Sequence, residues 1–545
     1  MKKILFISLF LLIFSGCYKN LDNLDSLKVL PNKFKSYSQS GKYLSANYSI
    51  FNGDVFKTNE ILKSGENNLF LLELQFFSNL ISGNFEIANN ISNSLILKNK
   101  KNLLYKIPQF AVSLKKNDFE NSLKIAKENK KNFGFNKIIS LLEFWLKHLK
   151  LNTKKDLMIY NSSNFEFPVY KLLVLENFYN INQLKKIADY NFNLKSLSNI
   201  DLLFLAGYYF RINNLDQFEK IIRNRLSDQF DKEQIIKDFS STNNIFFKTP
   251  SFQTILSLYL YDISYVSNET NEKPSFYIKI LLELSLYFSS KMDISKYALA
   301  ELYLSEKNES IALNKLEDIN RKSFFSLASD LKKLTIIKSL KSDKVYKTFL
   351  FEQSRKWPNN KFILYKLADF YKSKKNYHDS LKIYQKLLLK DGPNNRLLFL
   401  FATCLDKLGK WDQAKIILLK LIETDINDPY PLNYLSYSLS LKNKNLDLAL
   451  NLIEKAIKID PNNGFFLDTL GWVQYQRKDY ISAVFYLEKA VTLEPNSSEI
   501  INHLAHSYLM LGRINEAKYE WNKALQYETE VNVIKTIKDK IDKYE

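Results

Sequence analysis

The stretch LDTLGWVQYQRKDYISAVFYLEKAVTLEP, residues 467–495, decides the fold. Apolar and small residues recur in it at helical spacing on either side of the polar break QRKD. It therefore reads as two amphipathic helices joined by a short turn and stopped by Pro495. The next segment, INHLAHSYLMLGRINEAKYEWNKAL (501–525), repeats the pattern with Gly512 in the turn. Upstream, Pro358, Pro393, Pro429, Pro461 and Pro495 stand 35, 36, 32 and 34 residues apart. Ser380, Ala414, Ala449, Ala483 and Ala517 keep a spacing of 34 or 35, and Ala368, Ala402, Ser436, Gly471 and Ala505 keep the same period. Small residues are needed where two helices approach closely, and proline cannot continue a helix.

A period near 34 with helix–turn–helix patterning is the tetratricopeptide signature, and the chain resembles that superfamily. More narrowly, it resembles a type of alphaproteobacterial tetratricopeptide lipoprotein. The residues that carry this likeness are GKYLSANYSIFNGDV (41–55), YLSYSLSLKNKNLDLALNLIEKAIKIDPNNGFFLDTLGWVQY (434–475) and the 501–525 segment. The match is specific over about Tyr430 to Gln526. It departs at His506, where those proteins carry Asp after the small residue of the last repeat. The resemblance implies a solenoid at the cell envelope and no known activity.

Weaker hairpins precede these five. Ala300, Tyr303, Ala312 and Leu316 keep the spacing, as do Ala206, Tyr209 and Phe218; Ala46 with Gly53, and Leu72 with Gly83 and Ala88, suggest two more. Residues 151–167 and 223–249 fit no hairpin and read as irregular joints. The expected architecture is an all-α, right-handed solenoid of roughly ten or more hairpins. It is degenerate over 41–360, regular over the five repeats of 361–529, and capped by an amphipathic helix in 530–545. Only 12 Gly and 11 Pro in 545 residues agree with long runs of helix.

The start of the chain reads as an address. Lys2 and Lys3, an apolar run from Ile4 to Phe14, and Ser15-Gly16 before Cys17 make a secretory signal over 1–16, too short to span a bilayer. Small residues directly before Cys17 resemble the bacterial lipobox, although Phe14 stands where Leu is usual. The resemblance implies a lipidated Cys17 and a lipid anchor in a membrane. Tyr18 lacks the Asp that retains such proteins at the inner membrane. The expected location is therefore the outer membrane, facing the periplasm, with residues 17–40 as a polar tether.

Composition narrows the function. The net charge of +20 comes from Lys spread evenly among Asn and Ile, without a basic arm, so no nucleic-acid partner is expected. Two cysteines exclude a disulfide framework, and Cys404, in LLFLFATCLDKL (397–408), reads as a buried thiol. His503 and His506 lie three apart on one helix without an evident third ligand, so no metal and no cofactor are expected. No phosphate loop, GxSxG elbow or HExxH occurs, and the chain does not read as an enzyme.

What remains is a binding surface. The first helices of stacked hairpins line a concave groove. Side chains expected there are Phe362, Tyr365, Phe399, Tyr437 and Phe465, followed by Asp468, Trp472, Tyr475, Asn502 and His506. Aromatic anchors among Asn and Asp suit protein partners in the envelope. Tyr365 and Asp369 stand where a Lys–Asn clamp for a terminal carboxylate would begin, which disfavours that mode. The alternative expectation is a helical lipoprotein that binds glycan or acts as an envelope enzyme.

Overall fold

The computed structural model describes residues 69–98, 102–129, 135–150, 168–178, 199–226, 249–269, 275–321 and 323–544, with isolated residues between. The expectations for the leader 1–16, Cys17, the tether 17–40, Gly53 and most of the two irregular joints lie outside the described residues. All described secondary structure is helical, and the chain divides into two compact units, 1–340 and 341–545.

The first unit contains α1 (Leu69–Ile81), α2 (Phe85–Leu97), α3 (Lys106–Lys115), α4 (Phe119–Glu128), α5 (Phe135–Lys150), α6 (Pro168–Leu175), α7 (Asn199–Arg211) and α8 (Leu215–Asn224). It continues with α9 (Phe252–Glu269), α10 (Ser275–Phe288), α11 (Asp293–Ser305), α12 (Glu309–Glu317) and α13 (Ser326–Leu340). Antiparallel pairs α1–α2, α3–α4, α7–α8, α9–α10 and α11–α12 pack as hairpins. Their stacking is not strictly sequential, because α10 packs on α1. Lys115 at the end of α3 donates to the Tyr287 carbonyl at 2.6 Å, and the Tyr287 hydroxyl donates to Glu86 of α2 at 2.7 Å. Within this unit a polar knot is sealed from solvent: the Tyr170 hydroxyl donates to Asp262, and burial followed by the nearby Asp201 pushes the Asp262 carboxyl well above the usual range.

The second unit begins with α14 (Asp343–Lys356), which packs on α15 (Lys361–Ser373). Five hairpins follow: α15–α16 (Tyr377–Asp391), α17 (Asn395–Lys407)–α18 (Trp411–Thr424), α19 (Pro429–Leu441)–α20 (Leu446–Ile459), α21 (Gly464–Gln476)–α22 (Tyr480–Leu493) and α23 (Ser498–Met510)–α24 (Ile514–Tyr527). A final helix, α25 (Val531–Lys543), closes the array. Local chemistry repeats with the fold. Asn360, Asn394, Asp428 and Asn463 each cap a first helix by accepting from a backbone N–H two or three residues on. Pro429 differs from the other prolines of its series: it opens α19 rather than preceding a helix, where its missing N–H costs nothing.

Each turn inside a hairpin carries a left-handed residue: Lys375, Gly409, Asn443, Lys478 and Gly512, with φ of 57°, 77°, 51°, 67° and 75°, and the α19–α20 turn adds a second, Asn445, at 48°. Glycine fits that conformation at no steric cost, whereas a Lys there is strained by about 1–2 kcal/mol. Lys478 is exposed. Lys478→Gly should therefore raise stability by about 0.5 kcal/mol once the added freedom of the unfolded chain is subtracted. Denaturant melts of the two proteins check the sign.

All ten small residues of the two sequence series are buried. Gly471 shows why. A Cβ placed there would lie 2.5 Å from Leu487 Cγ and 3.2 Å from the Ala483 carbonyl oxygen. Gly471→Ala should cost about 1–3 kcal/mol through overpacking between α21 and α22, read as a lowered melting midpoint. Cys404 is fully buried, its sulfur 3.6 Å from Ser380 Oγ, and burial pushes its thiol pKa up.

Candidate partner-binding face

Within the second unit the first helices pack on one another, α19 on α21 and α21 on α23. The second helices make no comparably extensive contact with each other. Tyr437 of α19 even reaches across α21, its hydroxyl donating to Glu499 of α23. The first helices thus lie on the inner side of the curve. Burial, and then Glu499, raise the Tyr437 pKa far above its ordinary value.

The ten side chains expected to line this face fall into three groups. Phe362 and Phe465 are open, 57% and 53% exposed, at the second residue of α15 and of α21. Tyr365 and Phe399 are half-buried between neighbouring helices. Tyr365 lies 6.5 Å from the Tyr384 ring with Arg396 5.9 Å over it, and Phe399 meets Tyr434 edge-on at 5.8 Å. The remaining six belong to one network around α21, α23 and α25.

In that network Trp472 is a slice between two rings. Tyr475 stacks on it at 4.5 Å and 5°, and His503 at 4.1 Å and 19°. With both faces covered, Trp472 offers a partner only an edge, and its indole N–H is buried without an acceptor. Asp468 pairs with His503 Nδ1 at 2.8 Å, both side chains buried. Burial works against charge on His503, but Asp468 and then Glu499 outweigh it, so its pKa stands above the ordinary imidazole value. His506 behaves oppositely. Burial, followed by Lys540 and His503, pushes it down to about 4, and as a neutral ring it accepts from Lys540 Nζ at 2.7 Å. Asn502 accepts from the Trp521 indole N–H at 3.0 Å.

Two participants escape a reading by residue type. His503 is a partner of Asp468 rather than half of a metal pair with His506; among the described residues no group of three His, Cys, Asp or Glu side chains is placed to hold a metal. Tyr430, 59% exposed, occupies the same second position in α19 that Phe362 and Phe465 hold in α15 and α21. Its signal in the sequence is register, 68 residues after Phe362 and 35 before Phe465.

Stacked hairpins with a first-helix inner face and a terminal capping helix define a helical-repeat binding scaffold. Tetratricopeptide-repeat family models match residues 396–425, 435–463 and 467–497. A TPR repeat-containing protein of Methanocaldococcus jannaschii is 34% identical over 111 residues, 20% of this chain and 19% of that protein. The chain thus spans about a fifth of the length of that curated relative. Among solved structures, a tetratricopeptide repeat protein from Parabacteroides merdae is similar with a TM-score of 0.40 and 14% identity, covering 45% of this chain and 96% of that one. Yeast Tom70 is similar with a TM-score of 0.33 and 12% identity, covering 92% and 94%. Within residues 396–497 the second unit thus carries repeats of the tetratricopeptide-repeat type.

Proposed function

We propose that this protein is a non-catalytic adaptor that takes a protein partner along the first-helix face of its second unit and is held in the bacterial envelope by acylation of Cys17. The observation that carries the binding role is the row of open rings Phe362, Tyr430 and Phe465, repeated at one register position in three first helices. Exposed aromatics in a row supply large contact area at small conformational cost, as interface anchors do. Support for the anchor lies in Ser15-Gly16-Cys17 behind a short apolar run. Among the described residues no helix is long and apolar enough to cross a membrane.

A photo-crosslinking residue introduced at Phe465 in the native envelope should give a discrete protein adduct. The same residue at Ile481 of α22, 75% exposed on a second helix, should not. Adducts at Ile481 alone would reject the face. Metabolic labelling with a fatty-acid analogue tests the anchor, since equal label in wild type and Cys17→Ala would reject it.

A further inference from the structure

A cavity lies in the first unit, outside the unit that carries the aromatic row. It has a volume of about 650 Å³ and is walled by α2 on one side and α4 on the other, with α3 as its floor. Its lining runs along α3 from Lys106 to Lys116 and along α4 from Asn121 to Glu128. Ten residues of helix rise about 15 Å, so the cavity is a trough rather than a round pocket. At about 3.3 Å per residue, an extended chain of four or five residues matches that length.

The chemistry of the walls is specific. Carboxamides of Asn89 and Asn93 from α2, Gln109 from α3 and Asn121 from α4 all face the trough. Gln109 Nε2 donates to Asn93 Oδ1 at 2.8 Å, and Asn121 Nδ2 donates to Ser113 Oγ at 3.0 Å. These bonds fix the amides of Asn93, Gln109 and Asn121 in place, while the buried Asn89 Oδ1 has no partner among the described residues. Each still has donor or acceptor capacity left, and a carboxamide offers both in one plane, as a peptide unit does. Lys106, Lys116 and Lys124 also line the trough, and among the described residues none of their ammonium groups has an ion-pair or hydrogen-bond partner. Of the two acids beside them, Asp118 is occupied as the cap of α4, accepting from the Asn121 N–H at 3.2 Å. Glu128 stands in the last turn of α4. The lining includes only Val112 and Ile125 as apolar side chains and no aromatic ring on which a sugar face could stack.

We propose that this trough binds an extended peptide segment carrying acidic side chains, with the fixed amides meeting its backbone and Lys124, at mid-trough, meeting a carboxylate. The segment belongs to a second protein partner, taken independently of the first, because the trough and the aromatic row lie in different units. The site's failure would leave the first-helix face standing.

The test uses the full chain and a fluorescein-labelled pentapeptide of alternating Glu and Asp, followed by anisotropy. Binding should be saturable and should weaken as salt rises, since the contacts at the lysines are exposed. Lys124→Glu should weaken it at least tenfold, and Gln109→Leu severalfold, with unchanged circular dichroism in both. A matched peptide of Gln and Asn should bind at least tenfold more weakly than the acidic one. Equal affinity of the two peptides, or indifference to Lys124→Glu, would overturn the proposal. So would binding of oligogalacturonate in place of the peptide, which would make the trough a sugar site. If Lys124→Glu perturbs the fold, the exposed change Lys124→Gln serves in its place, with a threefold or greater loss expected and no loss counting against the site.

Discussion

Trp521→Ala should lower the stability of the second unit by about 3–5 kcal/mol, the cost of truncating a fully buried tryptophan. Trp521 is 0% exposed and joins three elements. Its indole N–H donates to Asn502 of α23, His506 meets its ring edge-on at 5.6 Å, and Tyr544, just after α25, lies parallel to it at 6.4 Å. Ile537 and Ile541 of α25 are buried in the same cluster. Removing the ring opens a cavity under the capping helix and leaves the Asn502 carbonyl without its donor, so the loss should start at the end of the array. Hydrogen exchange read by mass spectrometry should show α25 and α24 losing protection before α19 and α20. Tyr519→Ala in the same helix removes a ring that is 68% exposed and should change stability by less than about 0.5 kcal/mol. A comparable loss in both variants would mean that the final cluster does not hold the cap.

The repeat architecture was legible because its physical causes recur at a fixed distance. A small residue such as Gly471 leaves a trace every 34 residues, since a Cβ there collides with Leu487. The capping asparagines leave another. In the first unit α10 packs on α1, a contact between residues about 200 apart that no local period encodes. At the candidate site, residue type found the rings but not their use. Trp472 and Phe465 both read as groove aromatics, yet one is sandwiched and the other open. The difference lies in the next helix, where His503 supplies the second slice, and in the helical position, second residue against ninth. His503 and His506 looked alike as a spaced pair. Their opposite pKa shifts come from Asp468, 35 residues upstream, and Lys540, 34 residues downstream. A sequence shows those partners only once the hairpins are stacked.

Asp468→Asn should destabilise the second unit in a manner that depends on pH. The Asp468–His503 pair is buried on both sides, and removing one charge from such a pair typically costs about 3–5 kcal/mol because the other is left uncompensated. His503 can escape that cost by losing its proton, after which the Asn oxygen still accepts from Nδ1. Where His503 is neutral the substitution should therefore cost only about 1 kcal/mol, the worth of a weakened hydrogen bond. The native pair works the other way. His503 has a folded pKa above its unfolded value of about 6.5, so its contribution is fully present below that value and fades as pH rises through the folded pKa. The gap between wild type and Asp468→Asn should consequently widen as pH falls through the folded pKa of His503, toward the cost of an unpaired buried charge. His506 adds a trend common to both proteins. Its pKa is depressed to about 4, so the folded state binds fewer protons than the unfolded one between pH 4 and 6.5, and both proteins lose stability as pH falls through that window. Exchanging His506 for Gln, which still accepts from Lys540 without titrating, should flatten this acid limb and leave the gap at pH 6 unchanged. Chemical denaturation at pH 4.5, 6.0, 7.0 and 8.5 on wild type, Asp468→Asn, His506→Gln and the double variant separates the two histidines. A gap between wild type and Asp468→Asn that stays constant with pH would show that His503 is uncharged in the fold and that the pair is held as a neutral hydrogen bond.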